Sequence, residues 1–150
     1  NFNNIKSLEC GVFNGLFNLI ELVLNNNFDI NFIKRLNETN EIKSYLKNLP
    51  TGLFTDFNKL QILEIHNNRI KKLEENVFVN LNNLKRLDLS GNDISDTIFD
   101  DKMSKNFKNL THLNLSYNPD IKLNSFFDNL ILLKSLIINE IESMELSKLK

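Results

Sequence analysis

A leucine pattern returns about every 24 residues along this chain and closes on an asparagine, and no other feature restricts the fold as strongly. It reads Leu63-x-Ile65-x-x-Asn68, Leu87-x-Leu89-x-x-Asn92 and Leu113-x-Leu115-x-x-Asn118. An earlier copy is Leu22-x-Leu24-x-x-Asn27, and a later one, Leu136-x-Ile138, has Ile141 where the asparagine would stand. A fixed period of this length means stacked units, each too small to bury its own apolar face. Within a unit the alternation predicts a short strand with one buried side. The asparagine has a mechanical reason: its amide both donates and accepts, so it can satisfy backbone groups where the chain turns inward and has no ladder partner. Asn27, Asn68, Asn92 and Asn118 are therefore expected to form a structural row along the stack.

A second row follows from Phe13, Phe54, Phe78 and Phe127, each nine residues before the first strand leucine of its unit. Aromatic rings at one repeat position stack into a hydrophobic spine beneath the outer side. The pattern describes one array over residues 1–150, about six units, with both ends falling inside a unit; the chain reads as a fragment of a longer array. Two stretches depart from the period. Residues 28–48 lengthen the first interval to 41 residues and read either as a degenerate unit around 40–45 or as a protruding loop. The stretch 96–106 is longer by two residues and reads as a solvated loop, although insertions of this kind often carry ligand contacts.

Composition excludes more than it identifies. A formal net charge of −1 leaves no electrostatic footprint for nucleic acid, and no apolar run reaches the length of a membrane span. The 27 asparagines and the absence of alanine match a compositional bias, so only the asparagines at fixed repeat positions carry meaning. The single cysteine, Cys10, is expected to be a half-buried small side chain.

These residues resemble the leucine-rich repeat family, in its typical 24-residue class. The closest stretch runs from Leu49-Pro50-Thr51-Gly52-Leu53-Phe54 through Leu63–Ile65 and Asn68-Arg69-Ile70 to Leu87-Asp88-Leu89-Ser90-Gly91-Asn92. Its Leu-Pro-x-Gly-Leu-Phe form is similar to repeats of extracellular Toll-like and Slit-like ectodomains. The resemblance implies an α/β solenoid, a horseshoe with a parallel sheet on the concave face and loops or short helical turns on the convex face. Departures are Ile141 for asparagine, Asp120 for the isoleucine that follows it elsewhere, and missing cysteine-rich caps. The family binds proteins, glycans, lipids and nucleic acids on one scaffold, so the ligand does not follow from the fold.

In the strands, residues between the buried leucines point to the concave face. That face reads Glu21, Val23 and Asn25; Ile62, Glu64 and His66; Arg86, Asp88 and Ser90; His112, Asn114 and Ser116 with Tyr117; then Ser135, Ile137 and Asn139. Candidate ligand contacts are Glu64, His66, Arg86, Asp88, His112, Asn114 and Tyr117, since Tyr and Arg are favoured interface anchors. His66 and His112 come from strands two apart, with only Asp88 between them, too sparse a set for a metal. A His112-Asp88-Ser90 arrangement lacks an oxyanion hole and a pocket. No metal, cofactor or catalytic residue is assigned. Three glycosylation sequons begin at Asn37, Asn109 and Asn114.

The reading that results is a non-catalytic recognition module of a cell-surface or secreted protein, such as an innate-immune or adhesion receptor. Its expected ligand is a protein, with a glycan or lipid as further candidates, no nucleic acid and no membrane span. A cytosolic scaffold that binds a phosphatase or GTPase is the alternative. An enzyme whose catalytic domain lies outside these residues is a third.

Overall fold

A computed structural model describes residues 5, 7–26, 46–95, 98–123 and 125–141. Five short strands, β1 (Glu21–Val23), β3 (Ile62–Glu64), β5 (Arg86–Asp88), β7 (His112–Asn114) and β9 (Ser135–Ile137), form one parallel sheet in that spatial order. The register follows the repeat: Leu22 lies opposite Leu63, then Leu87, Leu113 and Leu136. The outer side has two smaller parallel pairs. In one, β2 (Asn48–Leu49) pairs with β4 (Lys72–Leu73); in the other, β6 (Ile98–Phe99) pairs with β8 (Lys122–Leu123). This is an open α/β solenoid, and each strand's neighbour belongs to the next unit of the chain.

β1 is hydrogen-bonded directly to β3, and residues 27–45, where a degenerate unit or a loop is expected, lie outside the described residues. The regular pattern resumes at Leu46 and Leu49, both fully buried, which take the positions of Ile70 and Leu73 in the next unit. Only Asn68 and Arg69 separate the equivalents of Asn26 and Leu46 in that unit. Asn27 and Asn37 lie outside the described residues.

The core fills the space between the two faces. Leu63, Ile65, Leu87, Leu89 and Leu115 are fully buried, with Phe54, Phe57, Phe78, Phe99, Phe107 and Phe126 beneath them. The aromatic spine takes a different course from the one expected. It begins with Phe13, Phe54 and Phe78, whose successive ring centroids are 6.4 and 6.3 Å apart. In the fourth unit Ser104 occupies the spine position, and Phe107 swings in from three residues later, 5.3 Å from Phe78. In the fifth, Phe126 continues the row at 6.2 Å from Phe107, while Phe127 is only partly buried beside it. The rings thus enter from two other repeat positions, six and ten residues before the strand leucine. Part of the lengthened stretch folds as a turn of helix rather than a loop: α1 (Asp101–Ser104) is capped by the Asp100 carboxylate, which accepts from the Met103 N–H at 3.0 Å. A 3-10 turn (Lys105–Phe107) follows. Ser104 closes the gap with hydrogen bonds instead of a ring, donating to the Asp101 carbonyl and accepting from Asn129 at 2.9 Å.

Two smaller expectations also change. Cys10 is exposed, because it stands in the surface turn just before the left-handed Gly11. The apolar position vacated by Asp120 is filled one residue later, by the fully buried Ile121.

Candidate functional site

The asparagine row can be followed bond by bond. The side-chain amide of Asn92 points at the carbonyls of Ile65, Leu89 and Ser90, at 3.0, 2.8 and 3.3 Å. Its carbonyl oxygen accepts from the N–H groups of Asn68 and Ile70, at 3.1 and 3.0 Å. Asn68 and Asn118 aim their amides at the equivalent carbonyls of their own and the preceding unit, and the Asn118 oxygen accepts from Ile94 N at 3.2 Å. All three are buried. The row holds the turns that follow β3, β5 and β7 and thereby fixes where their concave side chains sit.

Just before that row the backbone is left-handed in every unit: Asn26, Asn67, Gly91, Tyr117 and Glu140 have φ of 57°, 56°, 63°, 58° and 53°. Glycine and asparagine tolerate this region, whereas a bulky side chain is strained there by about 1 kcal/mol or more. Asn26, Asn67 and Gly91 are the signal that sequence reading missed. Their recurrence one residue before the asparagine marks a positive-φ position, and Tyr117 stands out as the aromatic placed on it.

The concave face itself is a network rather than a set of free side chains. Glu64 is held between Asn25, at 3.2 Å, and the Arg86 Nε, at 3.0 Å. Asp88, expected at the surface, is buried: one oxygen accepts from the Ser90 N–H and hydroxyl at 2.9 and 2.6 Å, the other from Asn114 at 3.2 Å. Asn114 in turn caps the Ser116 N–H, and the buried Ser116 hydroxyl accepts from Asn139 N. The short side chains around Asp88 close over it, and its lone pairs are engaged within the sheet. His66 and His112 bond locally, to Asn67 and Thr111. No hydrogen bond joins His112 to Asp88 or Ser90 among the described residues. No group of three or more potential metal ligands occurs among the described residues.

What the face offers to a partner is therefore a short set. Arg86 and His112 are exposed and border a shallow depression with Asn114, Ser135 and Ile137. Val23, Tyr117 and Ile137 add apolar surface, with Tyr117 53% exposed despite its strained backbone. A larger groove opens on the other side, between residues 72–78 and α1, bordered by Glu75, Asp100, Lys102, Met103 and Asn106. It lies where the lengthened stretch parts β4 from β6. Of the sequons, Asn109 is exposed, and Asn114 is half-buried with its amide on Asp88.

Comparison with known proteins agrees with this geometry. Residues 43–94 match the family model described as leucine rich repeat. Among solved structures, that of TLR13 in complex with ssRNA13 is similar, with a TM-score of 0.52 and 24% identity over 67% of this chain. The match spans only 18% of the length of TLR13 in that structure. With the same unit running from β1 to β9 in one register, the chain folds as an α/β solenoid of the leucine-rich repeat type, similar in fold to TLR13.

Proposed function

We propose that the concave sheet is a non-catalytic recognition surface for a protein partner, in a cell-surface or secreted receptor, with Tyr117 as its central anchor. The observation that carries this reading is the conflict at Tyr117. Three of its four equivalents, Asn26, Asn67 and Gly91, suit a left-handed backbone and the fourth is Glu140; a tyrosine is strained there and its ring stays half exposed, so burial within the fold does not offset the strain. Strain kept at an exposed aromatic, beside a pre-organised polar network, fits an interface anchor. Arg86, His112 and Ile137 form the surroundings of the same contact.

The solved TLR13 structure holds ssRNA13. On this concave face Glu21, Glu64 and Asp88 outnumber the single guanidinium of Arg86, which does not suit a phosphate backbone. A protein surface is the better fit. No described helix is long and apolar enough to cross a membrane.

The test is a binding screen of purified secreted and membrane ectodomains against the wild type, Tyr117→Asn and Arg86→Gln. The reading expects partners that are lost or weakened at least about tenfold by Tyr117→Asn, while the fold stays as stable or gains stability. Partners retained equally by both variants would place recognition elsewhere, with the groove beside α1 as the next surface to examine. Glycopeptide mass analysis addresses location: occupancy is expected at Asn109, which is exposed with its amide on the Asn82 carbonyl at 2.7 Å, and absent at Asn114, which is half-buried within the concave network. A bare Asn109 in protein from its source would favour the cytosolic scaffold.

A further inference from the structure

Only one of the 27 asparagines, Asn14, is followed by glycine. The pair lies in the exposed turn that leads into β1, where Gly15 has φ of 85° and no atom stands within 4 Å of where a Cβ would be. That backbone nitrogen is not bare to solvent. It donates to the Asp56 carboxylate, in the next unit, at 2.9 Å.

We infer that Asn14–Gly15 is the site at which this protein deamidates first, and that Asp56 sets the rate by restraining it. In the reaction the Gly15 nitrogen loses its proton and bonds to Asn14 Cγ. The bond from Cγ to the amide nitrogen of Asn14 breaks, ammonia leaves, and water opens the resulting five-membered imide to aspartate or isoaspartate. Glycine favours closure because no Cβ obstructs the ring. Two features of the Asp56 contact oppose it. The hydrogen bond fixes the Gly15 peptide plane, and the carboxylate's negative charge disfavours a developing amide anion beside it.

The product changes the fold locally. Isoaspartate adds a methylene to the backbone inside a turn closed by Asn14 N to Gly11 O and Leu16 N to Phe13 O, at 3.0 and 3.3 Å. Gly15 then moves out of register with Asp56, and the first unit loses a tie to the second. A second polar side-chain tie nearby is Lys59 to Asn18, at 2.8 Å.

The experiment is peptide-mapping mass spectrometry of the intact protein aged at neutral pH, in the wild type, Asp56→Asn, Asp56→Ala and Lys59→Ala. Each is also aged in urea as the unfolded reference. The expected result is conversion at Asn14 ahead of every other asparagine, about tenfold slower in the folded wild type than in urea. Asp56→Ala should recover most of that difference, Asp56→Asn part of it, and Lys59→Ala little. Three results would overturn the inference: equal folded and unfolded rates, an unchanged Asp56→Ala rate, or a Lys59→Ala rate as fast as Asp56→Ala. The last would mean that any loosening of the first unit exposes the site. None of these outcomes depends on what the concave face binds.

Discussion

The middle of the array and its last unit build the same strand and then close the turn after it differently. In the middle, the buried Asn92 oxygen holds two N–H groups of the preceding unit, those of Asn68 and Ile70. At the end, Ile141 stands in the asparagine's place. The Ile121 N–H of the unit before it turns back to the Asn118 carbonyl at 3.2 Å, and the buried isoleucine slides from position 120 to 121. Burial follows the same division: Leu87 and Leu89 are fully buried, Leu136 and Ile138 only partly. Leucines at the right spacing are enough to make a strand. Fixing its turn takes the asparagine of the next unit, and complete burial takes a neighbour on each side.

The largest expected effect breaks the row in the middle. Asn92→Ala takes away the side-chain oxygen to which the buried Asn68 and Ile70 N–H groups donate, a loss of about 4 kcal/mol at roughly 1–3 kcal/mol per group. Asn82→Ala, at an exposed position, should stay within about 0.5 kcal/mol of wild type. Urea midpoints of the two variants measure the difference, and equal shifts would contradict the row's role. Next, Leu87→Ala should cost about 3 kcal/mol and Leu136→Ala about 1, because only the first leaves a cavity enclosed on both sides. Similar losses would mean that the last strand is as well covered as the middle one.

The third comparison sets Tyr117 against Gly91. Tyr117→Asn should raise stability by about 1 kcal/mol through relief of the left-handed strain, seen as a higher thermal midpoint. A lower midpoint would show that the ring is held by the fold rather than reserved for a partner. The smallest effect concerns Asp101, whose carboxyl is held below its ordinary range, chiefly by its hydrogen bond to Lys105. A lowered folded value stabilises above the unfolded pKa and is lost as pH falls through the folded one. Asp101→Asn should therefore lower stability slightly at neutral pH, leave it unchanged below the folded pKa, and so flatten the acid side of the profile.

Much of the fold was legible because its logic is periodic. The strand register, the asparagine positions and the buried leucines all repeat, so one unit predicts the next. The aromatic spine was legible only in part: Phe107 and Phe126 enter it six and ten residues before their strand leucines rather than nine. The site was harder. Which residues face the concave side follows from alternation, but the burial of Asp88 and Ser116 depends on short neighbours closing over them, and no single strand records that. The strain at Tyr117 was readable from Asn26, Asn67 and Gly91, provided those three are recognised as residues that tolerate positive φ.

Native-state hydrogen exchange at the amides of Asn68, Ile70 and Ile94 tests the central claim most directly, since those N–H groups depend on side-chain oxygens one unit away. The expected result is protection close to that of the sheet amides in the wild type, with Asn68 and Ile70 falling to the level of exposed turns in Asn92→Ala while Ile94 stays protected. If all three exchange as fast as turn amides in the wild type, the asparagine row does not hold the array together.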